Sequence, residues 1–184
     1  MIPIGYMYKT VSAATDWLRN SDVADIYSLS GCISEDFADY IQYWKHNGFW
    51  LFDEPEIIER LAKSAKIDLS RMTLFYYEAY EQKFDKKTGE WSAFTADPSF
   101  TTDVQTPADK QLHGFDVVEF SIHSDPSCSP LSCNSLAQAL PVNRHCLFDS
   151  FEQAKDALER GLFEQAEPGP YGIVAVYTTG SCPR

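Results

Sequence analysis

Residues 49–63 read FWLFDEPEIIERLAK, and residues 145–159 read HCLFDSFEQAKDALE. Laid over each other, they place Leu51-Phe52-Asp53 on Leu147-Phe148-Asp149. Ile58, Leu61 and Ala62 fall on Ala154, Ala157 and Leu158. Each stretch is a short apolar run followed by apolar residues at helical spacing, which predicts a buried strand leading into an amphipathic helix. Pro55 suits a helix start, and Asp149 or Ser150 can cap the second helix. Glu56 with Arg60 and Glu59 with Lys63 are favourable i,i+4 pairs on the outer face of the first.

The pattern extends outward from both copies. Upstream of the first, "ADIYSLSG" reads as a strand, and residues 34–46 read as a helix. Ser34 caps that helix, Glu35 and Asp36 suit its dipole, and Phe37, Tyr40, Ile41 and Trp44 form its apolar face. Downstream, "MTLFYYEAYEQKF" is a long strand that "DKKTGE" turns back into "WSAFTA". In the second half "FDVVEFSIH" is a strand, "NSLAQAL" a short helix, "RHCLF" a strand and "YGIVAVYTT" a strand apolar on both faces, hence central. Asp25-Ile26 then falls on Asp116-Val117, and "LFYYEAY" near "YGIVAVY". The expectation is one compact α+β domain over residues 1–184, with a mixed sheet and helices packed on it. It would be built from two related β-α-β-α-β halves, about 23–84 and 115–179, joined by a polar connector at 97–114.

Composition bounds the function. The chain has 184 residues, 44% hydrophobic and 14% aromatic, enough for a core and unlike a disordered chain. Its net charge of -12 opposes binding to nucleic acid or an anionic membrane and favours a basic protein or a cation. No basic segment followed by an apolar run marks a signal peptide, and no stretch has the length of a membrane span. The 5 cysteines are an odd number, so reduced thiols in a cytoplasmic setting are expected. No phosphate loop, dinucleotide fingerprint or nucleophile elbow is present, and no cofactor is expected.

Most of the reactive side chains lie in one stretch. His123, Cys128, Cys133, His145 and Cys146 are zinc-ligand types, but their spacing matches no tight knuckle, and no metal is expected. Cys133, followed by Asn134 and Ser135, is placed at a helix N-terminus, where backbone amides would favour a thiolate. His123 can serve as its base, with Asn134 or Asp125 orienting the imidazole. Copy one makes the corresponding turn with fewer residues, so Cys128 sits in an insertion. Cys32 occupies a place similar to Cys133, which favours a packed thiol instead. The helix-start loops can also take a small ligand through backbone amides.

Two further clusters suggest binding. Trp44, His46 and Trp50 gather around Asn47-Gly48 as a partner hot spot or as core packing. Tyr76, Glu78 and Tyr80 share one strand face and can receive a cationic group. The composite expectation is a cytoplasmic acidic protein that engages a basic protein partner, as an immunity or regulatory protein would. The alternative is a cysteine-dependent hydrolase or transferase using Cys133 with His123.

Overall fold

The computed structural model describes residues 1–14, 18–20, 22–29, 47–95, 102–122 and 125–180. In chain order the elements are β1 (Ile2–Lys9), β2 (Ser12–Ala13), β3 (Asp25–Ile26), α1 (Pro55–Ala65), β4 (Thr73–Asp85), β5 (Glu90–Ala93), β6 (Lys110–Ile122), β7 (Asp125–Cys128), α2 (Pro130–Cys133), α3 (Phe151–Glu159) and β8 (Tyr171–Thr179). Single 3-10 turns cover Leu69–Arg71 and Leu136–Gln138. The main sheet runs β1-β4-β8-β6-β7, with β5 paired onto β4, and β2 and β3 form a separate ribbon. The helix expected over 34–46, with Trp44 and His46, lies outside the described residues.

The fold is α+β, but the main sheet is antiparallel throughout rather than mixed. The chain leaves β1 and re-enters the sheet at the same end, with Lys9 opposite Thr73. It does the same between β6 and β8, with Glu119 opposite Tyr171. A return to the end just left makes an antiparallel pair. β8 lies between β4 and β6 and is buried from Tyr171 to Val176, so its two-faced apolar sequence has neighbours on both sides.

The apolar runs before the two helices are not strands. Each touches the sheet through a single bridge, Tyr6 with Phe52 and Phe115 with Phe148. The cause is an asparagine at the head of each run. Asn47 Oδ1 accepts from the backbone N–H of Phe49 (3.0 Å) and Leu51 (3.2 Å), and its Nδ2 donates to the Ile4 carbonyl at 2.9 Å. Asn143 Oδ1 accepts from His145 (2.9 Å) and Leu147 (3.3 Å), and its Nδ2 donates to the His113 carbonyl at 2.8 Å. These bonds curl the backbone into a turn, with Trp50 at φ 60° and Cys146 at φ 62°.

Each turn presses on a glycine in the strand beneath. Gly5 and Gly114 lie at bulges of β1 and β6 with φ of 133° and 145°. A Cβ on Gly5 would stand 2.7 Å from Leu51 Cβ and 2.8 Å from the Phe52 carbonyl oxygen. On Gly114 it would stand 2.9 Å from Leu147 Cβ and 2.5 Å from the Phe148 carbonyl oxygen. Gly5 on β1 and Gly114 on β6 thus meet their turns in a similar local geometry. Asp25-Ile26 forms the two-residue β3 of the separate ribbon, whereas Asp116-Val117 lies within β6 of the main sheet. β6 also begins at Lys110, inside the stretch expected as a connector.

The register places Tyr6, Leu74, Tyr76, Phe115, Val117 and Ile173 on one sheet face. There α1 seats Ile58 and Ala62, and α3 seats Ala154, Ala157 and Leu158. Pro55 opens α1, and Ser150 caps α3 by accepting from Gln153 N. The two asparagine turns and residues 25–29 cover the opposite face.

Gly5→Ala and Gly114→Ala should each cost about 3 kcal/mol, because the obstructing atoms include backbone. Gly89→Ala, at φ 72° with nothing within 4 Å, should cost about 1 kcal/mol. Urea unfolding of the three variants checks the contrast; equal midpoints for Gly114→Ala and Gly89→Ala would contradict it.

Candidate functional site

A pocket of about 320 Å³ opens where the start of α1 meets the ends of β1 and β8. Asp53, Glu54, Glu56, Glu59 and Asp109 line it around Tyr6, and its lining holds no basic side chain among the described residues. Pro55 bends the chain into α1 so that Glu56 and Glu59, one turn apart, point to the same mouth. Tyr6 donates to the Gln105 carbonyl at 2.6 Å, and Tyr8 donates to Glu59 Oε1 at 3.2 Å. Burial, with the charge of Glu56 added, pushes the Tyr6 phenol up to about 12, so it remains a donor at neutral pH. The sequence carried a weak signal here in the acidic run at 53–59.

The structure gathers part of the cation-binding face expected at Tyr76, Glu78 and Tyr80, and it supplies the cation. Lys110 Nζ lies 2.5 Å from Glu78 Oε1, 5.3 Å from the Tyr76 ring centroid and 4.4 Å from that of Tyr177. Tyr76 and Tyr177 also donate to Glu78, at 3.1 and 3.0 Å. Burial alone would raise the Glu78 carboxyl, but the bonds from Lys110, Tyr177 and Tyr76 outweigh it and hold it below the ordinary value. Tyr80 is drawn elsewhere: it packs on Trp91 and Phe151 and donates to Gln82. Trp50 is part-buried within its turn, while Phe49 enters the core against Phe94.

A third cluster lies in the interior. Asp116 is fully buried; its Oδ2 accepts from Ser129 Oγ at 2.6 Å and from Leu29 N at 2.9 Å, and its Oδ1 has no hydrogen-bond partner among the described residues. Burial pushes this carboxyl up to about 6, against the lowering effect of the Ser129 and Leu29 bonds and of Lys9. Ser28 and Ser132 share a hydrogen bond at 3.0 Å, and Lys9 Nζ donates to the Ser28 carbonyl at 2.5 Å. All of these side chains are shielded from solvent.

The cysteines border that cluster. Cys133 is expected from the sequence at a helix N-terminus, but it is the last residue of α2, a single turn; the following "NSLAQAL" forms only the 3-10 turn Leu136–Gln138. Pro130 starts α2, and the left-handed Ser135 at φ 59° ends the run before a longer helix can form. Cys133 is partly exposed and Cys128 is buried. Asn134 accepts from Cys128 Sγ at 3.8 Å and donates to Glu167 at 3.1 Å, so its amide serves those two groups. His123, the expected base, lies outside the described residues. Among the described residues no three His, Cys, Asp or Glu side chains converge as a metal cage. One further ionisable pair was not anticipated: His145 Nδ1 meets Asp25 Oδ1 at 2.5 Å, and Tyr27 stacks on the imidazole at 4.1 Å. Its partners lie 120 residues apart, and no local pattern joins them.

No helix among the described residues is long and apolar enough to cross a membrane. Comparison with family models, curated proteins and solved structures finds no match for this chain.

Asp116 sets a pH dependence. Its folded value of about 6 lies above the ordinary 3.8, so between those values the folded chain holds the extra proton. Stability from this group is full below about pH 4 and is lost as pH rises through about 6, a change on the order of 2–3 kcal/mol. Urea unfolding from pH 4 to 7 should show this decline in the wild type and lack it in Asp116→Asn. Parallel curves would exclude Asp116 as its source.

Proposed function

We propose that this protein is an acidic binding module made of two copies of one unit, whose first copy receives a cationic side chain of a basic protein partner in the pocket at the start of α1. The observation that carries this reading is the difference between corresponding places in the two halves. Through the matched turns, Tyr6 corresponds to Phe115, Pro55 to Phe151, and Glu59 to Lys155. In the second half Phe151 packs against Phe115 at 6.2 Å and Tyr80 at 4.8 Å, where the first half has its pocket. Lys155, 3.8 Å from Glu159 and 5.8 Å from the Trp91 ring, replaces an acid with a base.

Acids in a first turn suit the helix dipole in any protein. That effect applies equally to both helices, so it does not account for an open acidic site at one and a filled, mixed-charge site at the other. Five carboxylates around a concave wall focus a negative potential, which raises encounter rates with a basic surface. The overall charge of -12 acts in the same direction. The Lys110 ammonium between Glu78, Tyr76 and Tyr177 exemplifies the chemistry within the same fold: a carboxylate and aromatic faces hold a lysine.

The probe is a short lysine-rich peptide titrated calorimetrically at low and at physiological salt. Glu56→Gln with Glu59→Gln should weaken binding about tenfold, and raised salt should weaken the wild type as well. Glu152→Gln with Glu164→Gln removes the same charge from exposed positions on the other half and should change affinity by less than about twofold. Equal losses in both double variants would reduce the effect to net charge and remove the pocket from the account.

A further inference from the structure

We propose that residues 102–109 act as a latched strap over the acidic pocket, with Lys110 on Glu78 as part of the latch. Seated, the strap completes the pocket; released, it leaves only the α1 side. A bound cationic side chain and the latch each favour the seated state. This deepens the binding reading above and rests on it for the ligand.

The strap precedes β6 and lies outside every helix and strand. Among the described residues, no backbone–backbone hydrogen bond ties it to the rest of the chain. Side chains hold it instead. Tyr6 donates to the Gln105 carbonyl at 2.6 Å, and Thr102 donates to the Asn47 carbonyl at 2.6 Å. The Asp103 N–H reaches Asp53 Oδ2 at 3.3 Å, and Val104 packs against the core. Gln105, Thr106, Ala108 and Asp109 are exposed. An exposed segment held by a few side-chain bonds opens locally at lower free energy than the strands beside it.

The latch is a chain of four side chains. Tyr76 Oη lies 3.2 Å from Thr106 Oγ1 and 3.1 Å from Glu78 Oε1. The single tyrosine proton goes to the carboxylate, so Thr106 donates to Tyr76. Lys110 Nζ lies 2.5 Å from the same carboxylate oxygen. Thr106 in the strap and Lys110 just after it are thus both tied to one point of β4, Tyr76 with Glu78. The Lys110 and Glu78 side chains are only 26% and 11% exposed, so salt screens this pair less than it screens the open rim of the pocket.

Charge links the strap to the ligand. Gln105, Thr106, Pro107 and Asp109 line the pocket from the strap, while Glu54, Glu56 and Glu59 line it from the start of α1. Asp109 lies against Gly180, just after β8. Both the strap and α1 therefore bring carboxylates to one hollow. Like charges around an empty pocket favour release of the strap. A cationic side chain among them reverses the sign and favours seating. That differential affinity is what a ligand-driven closure requires. By linkage, a change that weakens seating also weakens binding.

Hydrogen exchange of the full chain, followed by mass spectrometry, compares residues 102–109 with β8, free and with the lysine-rich peptide. Lys110→Met and Thr106→Val should each speed exchange of the strap about tenfold and leave β8 unchanged. The peptide should slow strap exchange in the wild type. Calorimetry should show Lys110→Met binding the peptide about fivefold more weakly. The sign is diagnostic: that variant is one unit more negative, so net charge alone would tighten its hold on a basic peptide. Unchanged strap exchange in both variants would overturn the latch, and equal or tighter binding by Lys110→Met would overturn its coupling to the ligand. If Lys110→Met loosens β8 as well, Thr106→Val, at an exposed position, decides the latch. A wild type that does not bind the peptide removes the binding reading and the ligand's part in seating, while exchange of the free variants still decides the latch.

Discussion

An asparagine turn lying on a strand glycine, made twice, is the constraint from which the rest of the architecture follows. The side chain of Asn47 is fully buried, and its amide spans two backbones: it closes its own turn and donates to the Ile4 carbonyl of β1. Asn143 does the same for β6 through the His113 carbonyl. The approach is close enough to exclude any side chain on Gly5 or Gly114. Each turn then delivers Phe52 or Phe148 to its single bridge and points the chain into α1 or α3. A buried amide without these partners would cost about 1–3 kcal/mol, so turn, bulge and helix entry are coupled. The two bulges set Gly5 opposite Tyr77 in the β1–β4 pair and Gly114 opposite Val176 in the β6–β8 pair, and the two pairs meet where Tyr77 opposes Val176.

The interior charges are not repeated in this way. Lys9 lies opposite Thr73 at the end of β1, and Asp116 lies opposite Val174 within β6. Lys9 reaches the Ser28 carbonyl, while Asp116 reaches Leu29 N and Ser129 Oγ. The two charges thus bind residues 28–29 and the entry to α2 to the same sheet face. Buried ionic groups seldom add net stability over well-packed apolar ones, but they restrict which arrangements satisfy them. The geometry fits that role: the network fixes the turn that carries Cys128 and Cys133.

How far the sequence disclosed this structure depended on the range of the interactions. α1, α3 and the β4–β5 hairpin were legible because helical spacing, Pro55, Ser150 and "DKKTGE" act locally. The central place of β8 followed from its two apolar faces. The runs at 49–52 and 145–148 misled because a short apolar stretch fits a buried strand and a buried turn alike. The discriminating pattern, N-x-x-x-L-F-D at 47–53 and 143–149, was present two residues before the aligned stretches. The site fared less well. Tyr76 and Glu78 were identified from strand alternation, but Lys110 comes from a different segment 32 residues away. Cys133 was set at the wrong end of a helix because Asn134 and Ser135 resemble a cap, and the left-handed Ser135 breaks the chain there instead.

The starts of α1 and α3 differ in one side chain, Pro55 against Phe151. The part-buried Phe151 ring packs against Tyr80 of β4 and Phe115 of β6, which makes the second helix entry a structural joint. A proline at position 55 fixes the same backbone entry without an aromatic ring, so the hollow above Tyr6 stays open. The residues around an open hollow no longer have to pack, and in this chain they are acids. Closing the first hollow with a ring at position 55 would bury the exposed carboxylates of Glu54 and Glu56, at a desolvation cost that apolar packing would have to exceed. The acidic rim and the absent ring are therefore mutually dependent: the open hollow keeps Glu54, Glu56 and Glu59 exposed to water, and hydrated carboxylates oppose its closing.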